Sequence, residues 1–443
     1  MKKIKFILLS ALSTLLLTSC SLFNDNDIVV ENHFKTKEEA SQEKELPTID
    51  LNGDDVAYDD IKIGETEASV FKNVVYSNME VDGVKKIKNT YKDLGSSFHI
   101  NESKDYDVNP DNNNFDIYIP KGLKTNEDQT VALFVHGGAW VSGLKTHVNP
   151  YVKEFTKRGF ISATIEYTLL NKDFDHEHKD LSIFRDLDEI DACISTMKSL
   201  LVEYGFTGKL SLVIGGVSSG AHLSMLYAYS RGESIKDSFP IKFIVDAVGP
   251  TDIKEDVWKA FDFGEGEEAD YAAAMTGEIN SDAIAKCRTD GNLKPLEVSG
   301  EGYNWTQFQT MKIANGMCGF QFSPEEVEAA AADSKHDLVK AGDVYNKMIS
   351  NSDSGENLLS VTSYITDTNI IPIICAYAGQ DSVVGIAQFA NLEVKLKSKG
   401  YVKESTYEYF FFETAGHTNI DKPEEQVKYD AFMNKIEDWL KTK

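Results

Sequence analysis

The stretch that decides the fold is GVSSG at residues 216–220, a serine held between two glycines. It follows the apolar run LSLVI at residues 210–214 and precedes AHLSML at residues 221–226, which predicts a buried strand, a sharp turn and a helix. Such a turn is crowded and strained, and glycine tolerates both its backbone angles and the close approach of neighbouring chain. We therefore expect Ser218 to lie exposed above a sheet, with its hydroxyl available as a nucleophile.

A nucleophilic serine needs a base that takes its proton and an acid that orients the base. Asp381 follows an apolar run at residues 370–378, and His417 follows a second run at residues 407–412. The carboxyl ends of parallel strands meet at one edge of a sheet, so both side chains are expected beside Ser218. His417 is the predicted base because no other histidine follows Asp381.

A loop of small residues supplies the fourth element of this chemistry. HGGAW at residues 136–140 directly follows the apolar run at residues 130–135, which is typical of a strand buried on both faces. Small residues let backbone amides turn towards a developing anion, so the loop predicts an oxyanion hole. The candidate donors are the amides of Gly138, Ala139 and Ser219. Trp140 is expected to pack beside the pocket.

Other residues have competing interpretations. His136 lies upstream of the serine, so we interpret it as a structural residue that hydrogen-bonds the loop, and His222 is also interpreted as structural. Asp246 and Asp252 are alternative acids, and Asp252 is the preferred one of the two because it follows the strand after the serine's strand. His176 and His178 lie in a charged loop, where a solvated loop is favoured over a metal site.

Strand-like runs alternate with helical patterns along most of the chain, which predicts βαβ units and an α/β fold with a mostly parallel sheet. Strand-like patterning of apolar residues begins near residues 68–71 and recurs at 98–100. The run at residues 115–120 alternates and ends at a proline, as in an antiparallel strand near a sheet edge. The predicted helices cover residues 149–157, 186–204, 384–399 and 424–440.

The alternation is interrupted between residues 253 and 367, where charged and alanine-rich helical stretches replace buried strands. This segment is too long for a loop and predicts a helical cap over the sheet. The core is therefore predicted in two parts, residues 66–252 and 368–443. Residues 21–65 are polar and poor in aromatic residues, which predicts a disordered linker.

Residues 1–20 have the features of a targeting segment. Lysines precede an apolar run at residues 6–18 that is too short to span a bilayer. The end of the segment, LTSC at residues 17–20, resembles a bacterial lipobox, which implies lipidation of Cys20 and a protein tethered on the outer side of a membrane in the cell envelope. A plain secretory signal peptide is the alternative.

The composition of the chain indicates which classes of partner it is expected to bind. The chain has 443 residues, an apolar fraction of 42% and a net charge of −26, which describes a globular protein and disfavours nucleic acid as a partner. Cys193 and Cys375 lie in apolar patterns and are expected to be buried, whereas a disulfide between Cys287 and Cys318 stays open. The predicted chemistry needs no cofactor and no metal, and the oligomeric state is undetermined.

The sequences HGGAW, GVSSGAH, AGQDSVV and AGHTN, in this order, resemble alpha/beta-hydrolase fold esterases of the carboxylesterase and hormone-sensitive-lipase-like group. Kynurenine formamidase-like and bacterial lipoprotein esterases are similar. The resemblance covers about residues 110–250 and 360–443, and it implies the alpha/beta-hydrolase fold with a cap insertion. Two features depart from the family: alanine takes the third glycine position of the oxyanion loop, and the segment at residues 253–367 is long.

The expected activity is hydrolysis of a carboxylic ester, carried by a small molecule or a polysaccharide, through an acyl-enzyme on Ser218. A serine peptidase of the prolyl-oligopeptidase type shares the order of the three residues, but the sequence contains no repeats of a propeller domain. A non-catalytic binding lipoprotein is the third possibility, against which the complete set of serine, acid, base and loop argues.

Overall fold

A computed structural model of the chain describes residues 57–90, 104–170, 181–253, 358–381 and 383–443, and the short pieces 261–262, 294–295 and 316–317. The strands are β1 (Ala57–Ile63), β2 (Thr66–Val75), β3 (Met79–Val81), β4 (Val84–Ile87), β5 (Tyr106–Asp107), β6 (Asn114–Pro120), β7 (Gln129–Val135), β8 (Ile161–Ile165), β9 (Leu210–Val217), β10 (Ile241–Ala247), β11 (Phe261–Asp262), β12 (Lys294–Pro295), β13 (Ile373–Ala378) and β14 (Tyr407–Phe412). The helices are α1 (Asn149–Lys157), α2 (Ile183–Glu203), α3 (Ser219–Arg231), α4 (Ala387–Ser398) and α5 (Gln426–Thr442). The predicted helices are thus confirmed, with ends that shift by a few residues.

The main sheet has the strand order β1-β2-β6-β8-β7-β9-β10-β13-β14. From β8 to β14 every neighbouring pair is parallel, whereas β1, β2, β6 and β8 pair antiparallel at the other end. The expectation of a mostly parallel sheet is confirmed. All strands that precede the candidate functional residues lie in its parallel part, so those residues emerge at one edge.

Side chains of the central strands alternate between two apolar cores. In β7, Leu133 packs in the core that α2, α3 and α4 cover, and Phe134 packs in the core under α1 and α5. Alternation with period two is the geometry of a strand buried on both faces. Helices therefore lie on both faces of the sheet, as predicted. In the part of the chain that is described, no helix combines the length and the apolar composition needed to cross a membrane.

Two boundaries differ from the sequence-based predictions. Strand β1 pairs with β2 and lies inside the predicted linker, so the core begins at Ala57 and not near residue 66. Five of its seven residues are exposed and three are charged, so it lacks the apolar alternation that marks a half-buried strand. Strand β6 pairs antiparallel with β2 and β8, as predicted, and because β1 and β2 extend the sheet it is the third strand from that edge.

The second part of the core also begins earlier than predicted. Leu358, Leu359, Tyr364 and Ile365 are buried in the core that contains α3, so the core resumes by residue 358 and not at 368. Cys193 and Cys375 are buried free cysteines, as expected. Some predictions concern residues outside the described ranges: the strand at residues 98–100, His176 and His178, the targeting segment with Cys20, most of the cap, and Cys287 and Cys318.

Candidate active site

Ser218 lies on the sharp turn between β9 and α3. Its backbone has φ 56° and ψ −125°, a conformation that side-chain-bearing residues rarely adopt. Such a conformation costs about 1–3 kcal/mol and persists only where surrounding structure holds it. Here the Ser218 amide donates to the carbonyl of Ala247 at 2.9 Å, and the amide of His222 donates to the Ser218 carbonyl at 3.1 Å. The turn presents the Ser218 hydroxyl at the carboxyl edge of the sheet.

The two glycines of the turn allow α3 to pack directly on β7. A Cβ atom at Gly220 would lie 2.2 Å from the carbonyl oxygen of Val135 and 2.4 Å from that of His136. A Cβ atom at Gly216 would lie 2.5 Å from the same Val135 oxygen. These obstacles are backbone atoms and cannot rotate away, so only glycine fits at either position.

We expect Gly220→Ala to destabilise the fold by about 3 kcal/mol or to prevent folding, because the new methyl group forces α3 and β7 apart. Urea unfolding of the purified variant measures the effect. Gly232→Ala is the matched control, since its methyl group meets only the Cδ1 atoms of Ile371 and Ile241, at 3.1 and 3.2 Å. Equal stability of the two variants would contradict the explanation.

His417 lies between Ser218 and Asp381, as expected for a base that the acid orients. Its Nδ1 donates to Asp381 Oδ2 at 2.7 Å, and its Nε2 lies 2.8 Å from Ser218 Oγ. A carboxylate only accepts, so Nδ1 carries the ring proton and Nε2 of the neutral ring accepts from the serine hydroxyl. The Asp381 carboxylate is fully buried, whereas the imidazole remains 16% exposed. The arrangement can take a proton from Ser218 and hold the resulting imidazolium beside a negative charge.

Backbone amides fix the orientation of the Asp381 carboxylate. Its second oxygen, Oδ1, accepts hydrogen bonds from the amides of Val383 and Val384, both at 2.8 Å. The loop that carries His417 is fixed by side chains: Glu425 Oε1 accepts from the amide and the hydroxyl of Thr414, both at 2.7 Å. The role of Glu425 was not predicted, because it lies beyond the loop in an unremarkable charged stretch.

The loop at residues 137–140 brings free amides next to Ser218. A Cβ atom at Gly137 would lie 3.0 Å from Ser218 Cβ, so the loop runs against the serine. Gly138, Ala139 and Trp140 have φ values of 130°, 54° and 62°, which turn the chain sharply. Within the described residues, the amides of Gly138 and Ala139 donate to no protein acceptor. Ser219 begins α3, where an amide has no partner inside the helix.

His136 precedes this loop, and its ring contacts groups other than the serine. Its Nδ1 donates to the carbonyl of Gly137 at 2.9 Å, and its Nε2 lies 3.2 Å from Glu166 Oε1. The ring stacks on Tyr167 with centroids 4.4 Å apart. Glu166 also accepts from the amide of Lys145 at 3.0 Å. Its carboxylate therefore contacts His136, which precedes the loop, and Lys145, which follows it. The geometry agrees with a structural His136; no sequence signal pointed to Glu166.

A family-level comparison matches the part of the chain that contains the Ser218 turn. Residues 115–286 match the family model BD-FAE, an alpha/beta-hydrolase esterase family. The match covers less than half of the chain, and over those residues the chain is similar to this family. The matched residues begin in β6 and include the loop at residues 137–140 and the Ser218 turn.

Individual proteins similar to this chain are distant in sequence. A non-reducing polyketide synthase, Preu3 of Preussia isomera, is 24% identical over 189 residues, which cover 38% of this chain and 7% of that protein. The chain thus spans a small fraction of the length of this relative. Among solved structures, a bifunctional GH43-CE protein of Bacteroides eggerthii is 15% identical, with a TM-score of 0.44 over 83% of this chain and 35% of that one. A truncated carbohydrate esterase from gut microbiota is 17% identical, with a TM-score of 0.40; the match covers 73% of this chain and 90% of that one.

The alternative acids, Asp246 and Asp252, bond groups other than His417. Asp252 Oδ1 accepts from the hydroxyl of Ser360 at 2.8 Å, and the Asp252 amide donates to Gln388 Oε1 at the same distance. Asp246 is buried at the end of β10, where its Oδ1 accepts from the amide of Gly249 at 2.9 Å. The structure therefore places Asp381, and neither alternative, on the imidazole of His417.

The buried carboxyl of Asp246 shares a proton network with Tyr377. The tyrosine oxygen lies 2.7 Å from both Asp246 Oδ2 and the Gly249 carbonyl. A tyrosine has one proton and the carbonyl can only accept, so a protonated Asp246 completes both bonds. Burial raises the pKa of Asp246 to about 7, although hydrogen bonds from Tyr377 and Gly249 act in the opposite direction. The geometry and the raised pKa both favour a neutral carboxyl.

This carboxyl makes the stability of the protein depend on pH. The pKa of Asp246 rises from 3.8 to about 7 on folding, so its contribution is complete below about pH 4 and is lost as the pH rises through 7. In Asp246→Asn a neutral amide replaces the titrating group. We expect the free energy of unfolding of this variant, relative to wild type, to increase between pH 4 and pH 7. Urea titrations measure it, with the exposed Asp438→Asn as control; parallel pH curves for wild type and Asp246→Asn would contradict the expectation.

Proposed function

We propose that this hydrolase cleaves carboxylic esters through an acyl-enzyme on Ser218, with His417 as base and Asp381 as orienting acid. The observation that carries the proposal is the continuous pair of hydrogen bonds from Ser218 to His417 and from His417 to Asp381. Such a relay activates a hydroxyl that is otherwise a weak nucleophile at neutral pH.

In the first half-reaction, Ser218 Oγ attacks the ester carbonyl carbon while His417 Nε2 takes the hydroxyl proton. The carbonyl oxygen gains a negative charge, which the amides of Gly138, Ala139 and Ser219 stabilise. The C–O bond to the alcohol then breaks, and His417 returns its proton to the departing alcohol oxygen. The acyl group remains on Ser218.

In the second half-reaction, water replaces the alcohol. His417 takes a proton from the water as its oxygen attacks the acyl carbon, and the same amides receive the oxyanion. Collapse of this intermediate breaks the bond to Ser218 Oγ, which takes back the proton, and the carboxylic acid leaves. Asp381 holds the imidazole in one tautomer throughout and stabilises its protonated form. No step needs a cofactor.

The test is a substrate screen on the purified protein. We expect turnover of short p-nitrophenyl esters or acetylated sugars, and labelling of Ser218 by a fluorophosphonate probe. Turnover of aminoacyl-proline amides without turnover of esters would identify a peptidase. Folded protein that the probe does not label would identify a non-catalytic binding protein. The chain lengths and sugars that are accepted would define the substrate class.

We also propose that the hydrolase is a lipoprotein, with Cys20 lipidated and the enzyme tethered on the outer side of a bacterial membrane. The proposal is supported by the LTSC sequence that ends a signal-peptide-like segment. Metabolic labelling with a fatty acid tests it, and Cys20→Ser should abolish the label. Label retained in this variant would contradict lipidation at Cys20.

A further inference from the structure

The oxyanion loop contains two adjacent strained residues that are not glycine. Ala139 and Trp140 both have positive φ values, 54° and 62°. Side-chain-bearing residues keep such angles only where neighbouring contacts determine the conformation. Ala139 is partly exposed, whereas Trp140 is only 2% exposed. The side chain of Trp140 is therefore the anchor that holds this part of the loop.

The hydrogen-bond partner of the Trp140 side chain is a histidine. The Trp140 indole Nε1 donates to His222 Nδ1 at 3.3 Å, and the two rings meet edge to face with centroids 5.2 Å apart. His222 Nε2 in turn donates to the Leu359 carbonyl at 2.7 Å. The imidazole is completely buried, and both of its nitrogens have a protein partner. His222 lies on the first turn of α3, close in sequence to Ser218.

Only a neutral His222 can make both bonds. Nδ1 accepts from the indole while Nε2 carries the single ring proton and donates it to a carbonyl. Burial lowers the pKa of His222 to about 4, so the ring is neutral at neutral pH. The ring thus joins three parts of the site: the oxyanion loop, the helix that follows the nucleophile, and the segment around Leu359.

We propose that His222 is a positioning residue that holds the oxyanion-loop amides in register with Ser218 through its hydrogen bond from Trp140. The proposal rests on the function proposed above, since it concerns stabilisation of the same oxyanion. His222 does not touch the substrate. Its effect passes through the Trp140 backbone to the neighbouring Ala139 amide. A displaced donor weakens binding of the transition state more than binding of the substrate, so the effect belongs in kcat.

Three variants separate the hydrogen bond from packing. Trp140→Phe removes the donor and keeps an aromatic ring. His222→Gln extends an amide towards Leu359 and leaves the position of Nδ1 without an acceptor. His222→Asn places an amide oxygen near the position of Nδ1. We expect about a tenfold to hundredfold lower kcat in the first two, with KM changed less than about threefold, and a smaller loss in His222→Asn. Trp439→Phe, a buried tryptophan of α5, is the control.

A double-mutant cycle decides whether the two residues act through one bond. In Trp140→Phe combined with His222→Gln, the loss of kcat should equal that of the worse single variant, because the bond is already absent. Multiplied losses, or a kcat that matches wild type in both single variants, would overturn the proposal. Thermal unfolding verifies that each variant is folded, and Trp140→Phe provides the result if the histidine variants do not fold.

The rate of fluorophosphonate labelling keeps this test distinct from the test of esterase activity. Labelling depends on Ser218 and on stabilisation of the phosphonyl oxygen, and it needs no natural substrate. If wild-type protein is labelled but cleaves no ester, the variants are compared by labelling rate, with the same expected order. Equal labelling rates in all variants would overturn the positioning role whatever the substrate is.

Discussion

Ser218→Ala is expected to lower kcat/KM for ester substrates by about 10⁴-fold to 10⁶-fold. The loss is this large because, among the residues that the structure describes, the hydroxyl that His417 Nε2 contacts is that of Ser218. The relay from Asp381 through His417 ends on Ser218 Oγ at 2.8 Å, and without that atom it activates nothing. Residual turnover would come from the oxyanion amides alone. Steady-state kinetics with a p-nitrophenyl ester measure the effect.

The same substitution elsewhere on α3 separates this role from folding. Ser230→Ala removes a buried hydroxyl that donates only to the Leu226 carbonyl, at 2.5 Å, near the far end of the helix. We expect this variant to retain activity within about threefold, because the hydroxyl bonds a carbonyl of its own helix and contacts none of the groups around Ser218. A fluorophosphonate probe should label Ser230→Ala and not Ser218→Ala. Activity of Ser218→Ala near that of wild type would show that another nucleophile operates.

The sequence predicts the reacting groups better than the groups that hold them. Ser218, Asp381 and His417 each follow an apolar run, and the carboxyl ends of parallel strands bring such positions together. The glycines at 216 and 220 mark the turn because only glycine permits the contact with β7. These features depend on local pattern and chain order, both of which are visible in one sequence.

The supporting contacts depend on side chains that meet across distant segments. Glu166 under His136, Glu425 beside Thr414, and the bond from Trp140 to His222 join residues whose neighbours in sequence give no sign of the partner. Strand β1 was missed for a different reason, since a charged and exposed edge strand has no apolar period. The end of the cap segment was missed because Leu358 and Leu359 are buried by contact with α3, without a strand pattern of their own.

Asp381→Asn is expected to lower kcat by about 10⁴-fold while leaving the fold intact. The surrounding hydrogen bonds determine how the new amide is oriented. The amides of Val383 and Val384 both donate to Oδ1 at 2.8 Å, so the asparagine oxygen must take that position. Its NH₂ group then replaces Oδ2 and faces His417 Nδ1, where the carboxylate accepted at 2.7 Å.

Two donors cannot face each other, so the imidazole must give up its proton on Nδ1 and carry it on Nε2. Nε2 then points a proton at Ser218 Oγ and cannot act as its base, so the defect appears in kcat. Asp252→Asn is the matched control, because its carboxylate bonds Ser360 and not His417; we expect its kcat to stay within about threefold of wild type. If Asp252→Asn lost activity and Asp381→Asn retained it, the acid would be Asp252, and the observed bond from His417 to Asp381 would be a structural contact.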